Sequence, residues 1–208
     1  MTTKVLWCGD STAKGWVPPI NVAPGYNTAN NPSAVALQLL NSRPGAAYAV
    51  MENIAVGGTT LAHWLNGAVL DGITIMPWAQ RMATTDAKVV LLQVGINDAF
   101  TPGITVDGFI AGIQTMRNLA IANGKTPIFV TDNPISYSGV HNGVLWGLMN
   151  AARVTCQQMG MQIIDCNDAI SRFVDNWGQF LPDKIHPDET LYHFMGAMAA
   201  TALTRHII

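Results

Sequence analysis

The chain has 208 residues, enough for one domain with a sizeable core, and we expect a single domain over residues 1–208. Only 12% of the residues are charged, against a typical ~25%, and the formal net charge is −2, so the composition lacks the basic surface that nucleic-acid binding requires. The apolar stretches fall short of the roughly 18 residues of a transmembrane helix, and no signal peptide is visible. We therefore predict no membrane span and leave the compartment open.

Five apolar, β-branched runs alternate with longer helical patterns. The predicted strands are residues 4–8, 48–55, 87–94, 126–131 and 161–165. The predicted helices are residues 33–42, 60–70, 75–84, 106–123, 143–159, 167–177 and 188–206. Near-continuous apolar strands separated by helices are typical of a parallel sheet covered on both faces. We therefore predict a three-layer, doubly wound α/β fold with a five-stranded parallel sheet.

Two long connections lack helical or strand periodicity. Residues 15–32 follow the first predicted strand, and residues 132–142 follow the fourth. Long loops without regular structure are usually functional in a compact domain. Because ligands bind beyond the carboxyl ends of the strands in this architecture, both loops are predicted to border a substrate pocket.

Polar residues and glycines follow the predicted strands at this same edge. They are Ser11 in Gly9-Asp10-Ser11, the Gly57-Gly58 pair, Asn97 with Asp98, and Asp183 with His186 before the last helix. Acyl transfer needs a serine hydroxyl activated by imidazole, a carboxylate that orients the imidazole, and N–H donors for an oxyanion. Asp183 and His186 are three residues apart, so they can meet on a single turn. The pattern therefore points to ester hydrolysis.

Four blocks of the chain resemble those of the GDSL/SGNH hydrolase superfamily: GDST at 9–12, NIAVGGTT at 53–60, GIND at 95–98 and DKIH at 183–186. The resemblance implies a flavodoxin-like sheet with strand order 2-1-3-4-5. It implies that Ser11 is the nucleophile and that Asp183 and His186 complete a catalytic triad. The backbone N–H groups of Ser11 and Gly58 and the side chain of Asn97 would form the oxyanion hole. No cofactor and no metal ion are implied.

The resemblance implies a serine esterase, and Thr12 indicates which kind. It stands where the GDSL block has leucine, a form that resembles carbohydrate O-acetylesterases. We therefore expect a short acyl group, acetyl, to be removed from a carbohydrate or other small ester. Loops rich in Asn, Pro, Tyr and Ser favour this over a lipase or thioesterase.

A different class of function also fits part of the sequence. The low charge and the Asn-rich loops suit a carbohydrate-binding module of a surface or phage tail assembly, although such a module has no need of Asp183 and His186. The low charge also suits an oligomer or a subunit of a larger assembly.

Several other residues carry weaker expectations. Five ring-bearing side chains in or beside the pocket loops are candidates for substrate binding: Trp16, Tyr26, Phe100, Tyr137 and His141. Asp10 is expected to cap or brace the turn that presents Ser11, and Asp98 to make structural hydrogen bonds. His63 and His193 are expected to be structural or surface residues. The three cysteines are expected to be free thiols, although the spacing leaves a Cys156–Cys166 bridge open.

Overall fold

The fold was analysed in a computed structural model that describes residues 2–19, 24–43, 48–137 and 139–207. Nine strands form within these ranges: β1 Thr3–Gly9, β2 Trp16–Val17, β3 Tyr26–Asn27, β4 Ala49–Asn53, β5 Ala68–Leu70, β6 Ile73–Ile75, β7 Val89–Gln93, β8 Thr126–Val130 and β9 Gln162–Ile164.

The same ranges contain nine α-helices: α1 Ser11–Lys14, α2 Pro32–Asn41, α3 Leu61–Asn66, α4 Trp78–Thr84, α5 Ile96–Ala99, α6 Val106–Ala122, α7 Val140–Gln158, α8 Cys166–Phe173 and α9 Glu189–Leu203. Two 3-10 turns follow α8 and α9, at Trp177–Phe180 and Thr204–His206. None of the helices in the described ranges is both long enough and apolar enough to cross a bilayer.

The central sheet has five parallel strands in the order β4-β1-β7-β8-β9. Numbered along the chain, these strands lie in the order 2-1-3-4-5, so the predicted sheet and its order are confirmed. Val5 in β1 pairs with Met51 in β4 on one side and Val89 in β7 on the other. Parallel pairing brings the carboxyl ends of all five strands to one edge of the sheet.

The strands are apolar on both faces because helices cover both faces. Leu6 and Leu92 point into a core shared with α3, α4, α6 and α7. Val5 and Leu91 point into a second core, shared with α2, α8 and α9. Since successive side chains alternate across a strand, an uninterrupted apolar run supplies both cores. This confirms the predicted three-layer arrangement.

The structure differs from the prediction between residues 60 and 84. The sequence predicts helices over 60–70 and 75–84, whereas α3 ends at Asn66 and an antiparallel hairpin, β5–β6, precedes α4. Gly67 ends α3 with φ of +81°. Asp71 and Gly72 then make the turn with φ of +49° and +76°, the left-handed pair that a two-residue hairpin favours.

The predicted loop 15–32 contains more order than its composition indicates. Two short strands within it, β2 and β3, pair in antiparallel fashion, with Trp16 opposite Asn27. The expectation for residues 20–23 lies outside the described residues. In the loop 132–142, α7 begins at Val140, three residues earlier than predicted.

Close packing of α9 on α2 depends on Gly196. A Cβ added there would lie 2.5 Å from Val35 Cβ and 2.8 Å from the Pro32 carbonyl oxygen. We expect Gly196→Ala to lower the free energy of unfolding by about 1–3 kcal/mol, since the helices must separate to accept the methyl group. Urea denaturation measures the change.

Gly147→Ala in α7 is the matched control, because no heavy atom lies within 4 Å of its added Cβ. That variant is expected to gain about 0.5–1 kcal/mol from helix propensity. Equal effects of the two substitutions would contradict the packing role of Gly196.

Candidate active site

Ser11 is presented by the sharp turn from β1 into α1. Gly9 ends the strand where space is tight, since a Cβ there would lie 2.6 Å from the Gln93 carbonyl oxygen. Asp10 caps α1, and its Oδ1 accepts the backbone N–H of Thr12 at 2.8 Å. This confirms the expectation that Asp10 braces the turn. Ser11 is the first residue of α1 and is half-buried at the sheet edge.

Asp183 and His186 meet on one tight turn before α9. Asp183 Oδ1 accepts the backbone N–H groups of Ile185 at 3.0 Å and His186 at 2.7 Å. Lys184 has φ of +72°, which lets the chain fold back on the carboxylate. Asp183 Oδ2 then lies 2.6 Å from His186 Nδ1. The orientation of the imidazole is therefore built largely from residues 183–186.

The loop after β8 anchors this turn. The backbone N–H of Ser136 donates to the Lys184 carbonyl at 2.9 Å, and Asn133 Nδ2 donates to the Ile185 carbonyl at 2.8 Å. Asn133 is fully buried, so this contact is held within the protein interior. Loop 132–137 therefore positions the histidine turn, and Asn133 is a supporting residue that sequence reasoning missed. An Asn-Pro pair is an ordinary loop motif, so nothing in it indicated this role.

Ser11 and His186 are in hydrogen-bond contact, with 2.9 Å between Ser11 Oγ and His186 Nε2. An ionised carboxylate only accepts hydrogen bonds, so the imidazole hydrogen lies on Nδ1, facing Asp183, and Nε2 is free to accept from Ser11. Burial alone would raise the pKa of Asp183, but hydrogen bonds from the His186 ring and backbone outweigh it and lower the pKa. The three side chains form a chain in which a proton can pass from Ser11 to His186.

The residues predicted to donate to an oxyanion lie on the turns around Ser11. Gly57 and Gly58 form a turn after β4, called the glycine turn below, and line the same cavity as Ser11 and His186. Gly58 has φ of +77°, a conformation that favours glycine. Asn97 belongs to α5, and its Nδ2 donates to the Thr59 carbonyl at 3.0 Å and lies 3.3 Å from Asp10 Oδ2. The amide of Asn97 is thus held between the glycine turn and the turn that carries Ser11.

A cavity of about 410 Å³ opens beside Ser11 and His186. Its wall is formed by α1, β2, β3, the glycine turn, the β5–β6 hairpin and the turn that carries His186. The lining residues are Ser11, Lys14, Trp16, Asn27, Val56, Gly57, Gly58, Asp71, Ile73 and His186. Lys14, Asn27, Asp71 and Ile73 were not expected from the sequence. The Asp71-Gly72 turn was the available indication, because Asp-Gly between apolar runs favours a hairpin.

A larger cavity, about 600 Å³, lies at the opposite edge of the sheet, where β8 and β9 begin. Its basic side chains already have partners: Arg117 donates to the Met159 carbonyl at 2.9 Å, and Lys125 donates to the Thr85 carbonyl at 2.6 Å. Met159 and Thr85 cap the carboxyl ends of α7 and α4, where cations are stabilised by the helix dipole. The other two basic side chains of the lining, Arg205 and His206, contact Gln162 Oε1 at 3.1 and 2.6 Å.

The five substrate-binding candidates fall into separate groups. Trp16 lines the 410 Å³ cavity. Tyr26 is half-exposed, and its hydroxyl lies 3.4 Å from Glu189 Oε1. Phe100 stacks on His141 with ring centroids 4.2 Å apart, and Tyr137 meets Phe100 edge-on at 5.6 Å. The structure brings the last three together after α5, and none of them is among the residues that line the cavity.

Several secondary expectations are confirmed. His63 caps α3, with its Nδ1 accepting the Thr60 N–H at 3.2 Å. Asp98 accepts the Leu61 N–H at 3.1 Å and holds α3 against α5; its burial raises the pKa to about 7. Cys156 and Cys166 are buried free thiols, so they form no bridge.

Solved structures that share the fold include an aryl esterase from M. smegmatis, at 16% identity and a TM-score of 0.75, covering 99% of this chain and 100% of that one. A member of the lipolytic protein G-D-S-L family from Veillonella parvula has 17% identity and a TM-score of 0.73, covering 98% and 99%.

A carbohydrate acetylesterase from Sinorhizobium meliloti has 14% identity and a TM-score of 0.72, covering 96% and 97%. No protein with a curated description has a significantly similar sequence. The sequence model of the GDSL-like lipase/acylhydrolase family matches residues 8–194 of the 208. The chain therefore belongs to the GDSL-like lipase/acylhydrolase family and is a carboxylic ester hydrolase.

Proposed function

We propose that the protein removes a short acyl group, acetyl, from a carbohydrate, with Ser11, His186 and Asp183 as its catalytic triad. The observation that carries this proposal is the unbroken chain of hydrogen bonds from Ser11 Oγ through His186 to Asp183, with lengths of 2.9 and 2.6 Å. This is the arrangement that turns a weakly nucleophilic hydroxyl into an acylating group.

The reaction follows from the position of each proton. Ser11 Oγ attacks the ester carbonyl carbon while its proton passes to His186 Nε2. The tetrahedral intermediate collapses, and His186 gives that proton to the departing alkoxide, leaving an acyl-Ser11 ester. Water then repeats the two steps, with His186 taking its proton, and releases the acid and free Ser11. Asp183 stays ionised and stabilises the imidazolium at each stage.

The oxyanion receives hydrogen bonds from the N–H groups of Ser11 and Gly58 and from Asn97 Nδ2. Asn97 has two hydrogens on this nitrogen, one directed to the Thr59 carbonyl at 3.0 Å and one to Asp10 at 3.3 Å. The second contact is the longer, and we assign its hydrogen to be shared between Asp10 and the oxyanion during reaction. Loss of one such donor typically raises the barrier by about 3–4 kcal/mol.

We infer the preference for a carbohydrate from the side chains that line the 410 Å³ cavity. Trp16 supplies an aromatic surface, and Lys14, Asn27 and Asp71 supply donors and acceptors for hydroxyl groups. A second cavity of about 280 Å³, which includes Arg81, shares Lys14, Val56 and Ile73 with this wall. The leaving group therefore has more room than a simple alcohol needs. The acetylesterase from Sinorhizobium meliloti is an example of such an activity on this fold.

Ser11→Ala tests the nucleophile. We expect kcat for p-nitrophenyl acetate to fall by about 10⁴-fold or more, since the acyl-enzyme can no longer form. Labelling by a fluorophosphonate probe should also be lost, with an unchanged unfolding curve. The matched control is Ser171→Ala, because Ser171 is exposed in α8. Full activity in the Ser11 variant would refute the assignment, and the absence of labelling in the wild type would favour a binding module.

Asp183→Asn tests the orienting carboxylate. The amide oxygen can still accept the backbone N–H groups of Ile185 and His186, so the turn should persist, but the negative charge facing Nδ1 is lost. We expect kcat to fall by about 10⁴-fold at neutral pH because the imidazole adopts the wrong tautomer. Asp175→Asn changes an exposed carboxyl nearby and should have little effect. A comparable loss in both variants would argue against the role of Asp183.

Trp16→Ala tests the carbohydrate preference. We expect kcat/KM to fall by about tenfold for an acetylated sugar and by much less for p-nitrophenyl acetate, because only the sugar ring needs the aromatic surface. Trp146→Ala is the control, since Trp146 is 65% exposed on α7. Equal losses on both esters would contradict the preference, and a wild-type preference for octanoyl over acetyl esters would favour a lipase.

A further inference from the structure

Two carboxyl groups outside the triad lie directly behind the nucleophile. Asp10 precedes Ser11, Asp132 follows β8, and the side chains of both are 0% exposed. No Lys, Arg or His in the described part of the chain forms an ion pair with either of them. Two neighbouring buried carboxylates without a cation are costly, because each charge loses its hydration and repels the other.

The hydroxyl of Thr12 lies between the two carboxyl groups. Thr12 Oγ1 is 2.8 Å from Asp10 Oδ1 and 3.1 Å from Asp132 Oδ1. A third partner, Gln93 Nε2, donates to the same oxygen at 2.9 Å. The direction of that bond is fixed, because the indole N–H of Trp7 donates to the other end of the amide, Gln93 Oε1, at 3.2 Å.

Both carboxyl groups have other donors, but counting hydrogens at Thr12 Oγ1 leaves one of its two carboxyl contacts without a hydrogen. The hydroxyl has one hydrogen and two lone pairs, and Gln93 occupies one lone pair. The hydrogen can serve Asp10 or Asp132 but not both. The remaining carboxyl oxygen contacts the second lone pair of Thr12 favourably only if it carries a hydrogen itself. One proton on the pair supplies the hydrogen that this contact lacks.

The outer oxygens of the pair hold the segment that carries the oxyanion donor. Asp132 Oδ2 accepts the backbone N–H of Ile96 at 2.8 Å. Asp10 Oδ2 lies 3.3 Å from Asn97 Nδ2. Asp10 also caps α1 through the N–H of Thr12. The pair thus links the turn that presents Ser11 to the start of α5.

We propose that Asp10 and Asp132 share one proton through the hydroxyl of Thr12 and act as positioning residues that keep a single negative charge behind the oxyanion hole. Loss of this proton would place a second negative charge where the developing oxyanion has to be stabilised. The catalytic part of this inference rests on the proposed role of Asn97, whereas the proton count does not.

The charges that face the pair favour retention of the proton. Burial raises the pKa of Asp10 well above its usual range, and the neighbouring Asp132 and Asp98 raise it further. Burial likewise raises the pKa of Asp132 to about 6. The other titratable groups that sense the pair are Tyr192 of α9 and Cys166 of α8, whose pKa values are raised first by their own burial, so both are neutral at pH 7.

Loss of this proton as pH rises should therefore lower both stability and kcat. The folded protein holds a proton that the unfolded chain releases near pH 4, so stability decreases as pH rises through the folded-state titration of the pair. Asp98, whose pKa is about 7, adds a decrease of the same sign. The kcat value should fall over the range in which the pair loses its proton.

Carboxyl ¹³C NMR of the full chain, selectively labelled at aspartate, tests the proton directly. At pH 7 we expect one carboxyl equivalent of the Asp10–Asp132 pair to be protonated, with signals assigned through Asp10→Asn and Asp132→Asn. Two fully ionised carboxylates at pH 7 would overturn the proposal. This readout needs no substrate, so it is independent of whether Ser11 is the nucleophile.

The pH profile of kcat tests the positioning role. In wild type we expect a fall of about tenfold or more as the pair loses its proton, as a displaced or opposed oxyanion donor would produce. In Asp132→Asn the amide can donate to Thr12 Oγ1 and accept from Ile96, so this alkaline fall should disappear. An identical alkaline limb in both proteins, or none in wild type, would overturn the role.

Thr12→Val and Thr12→Ser are a matched pair of variants that tests the bridging role of the Thr12 hydroxyl. Valine removes the hydroxyl with little change in volume, so kcat should fall by about tenfold or more with KM nearly unchanged. Serine retains the hydroxyl and should restore kcat. Equal activity of the two variants would overturn the bridging role of Thr12. If the valine variant does not fold, the NMR titration and the Asp132→Asn profile still decide.

Discussion

The proposed active site depends on a hydrogen bond of 2.9 Å between two residues 175 positions apart, Ser11 and His186. Parallel pairing makes this possible, because it brings the carboxyl ends of five strands to one edge and leaves each following turn free to carry a functional group. Ser11 follows β1, Asn97 follows β7, and the loop after β8 holds the histidine turn through Asn133 and Ser136. The sheet is thus the rigid frame that fixes the distances between groups on separate loops.

Behind that frame lies a second layer of polar contacts. Thr12, Gln93 and Trp7 form a buried chain of hydrogen bonds between β1 and β7. Asp10 and Asp132 connect this chain to the start of α5, which carries Asn97. Buried polar groups are costly unless each has a partner, so such networks hold a single arrangement. The turn that carries Ser11 and the side chain of Asn97 therefore belong to one hydrogen-bonded network. This is why a change at Thr12 is expected to act on kcat.

Much of the fold could be predicted because strand periodicity and the order of motifs are local properties of the sequence. All five sheet strands were found, and their order followed from the resemblance carried by four short blocks. Residues 68–70 of the β5–β6 hairpin fall within a predicted helix because they also fit a helical period, and the Asp71-Gly72 turn is the contrary indication. The cavity wall at Asp71 and Ile73, and the pairing of Asp10 with Asp132, could not be predicted, because they join residues distant in sequence that no local pattern connects.

The central claim is that the ester is cleaved through an acyl-Ser11 intermediate. The most direct measurement is peptide mass spectrometry of the enzyme quenched in acid during turnover of p-nitrophenyl acetate. The account predicts one acetyl group on the peptide that contains Ser11, chased away on further incubation. An acetyl group on another residue, or turnover without any adduct under conditions in which acylation outpaces hydrolysis, would contradict it.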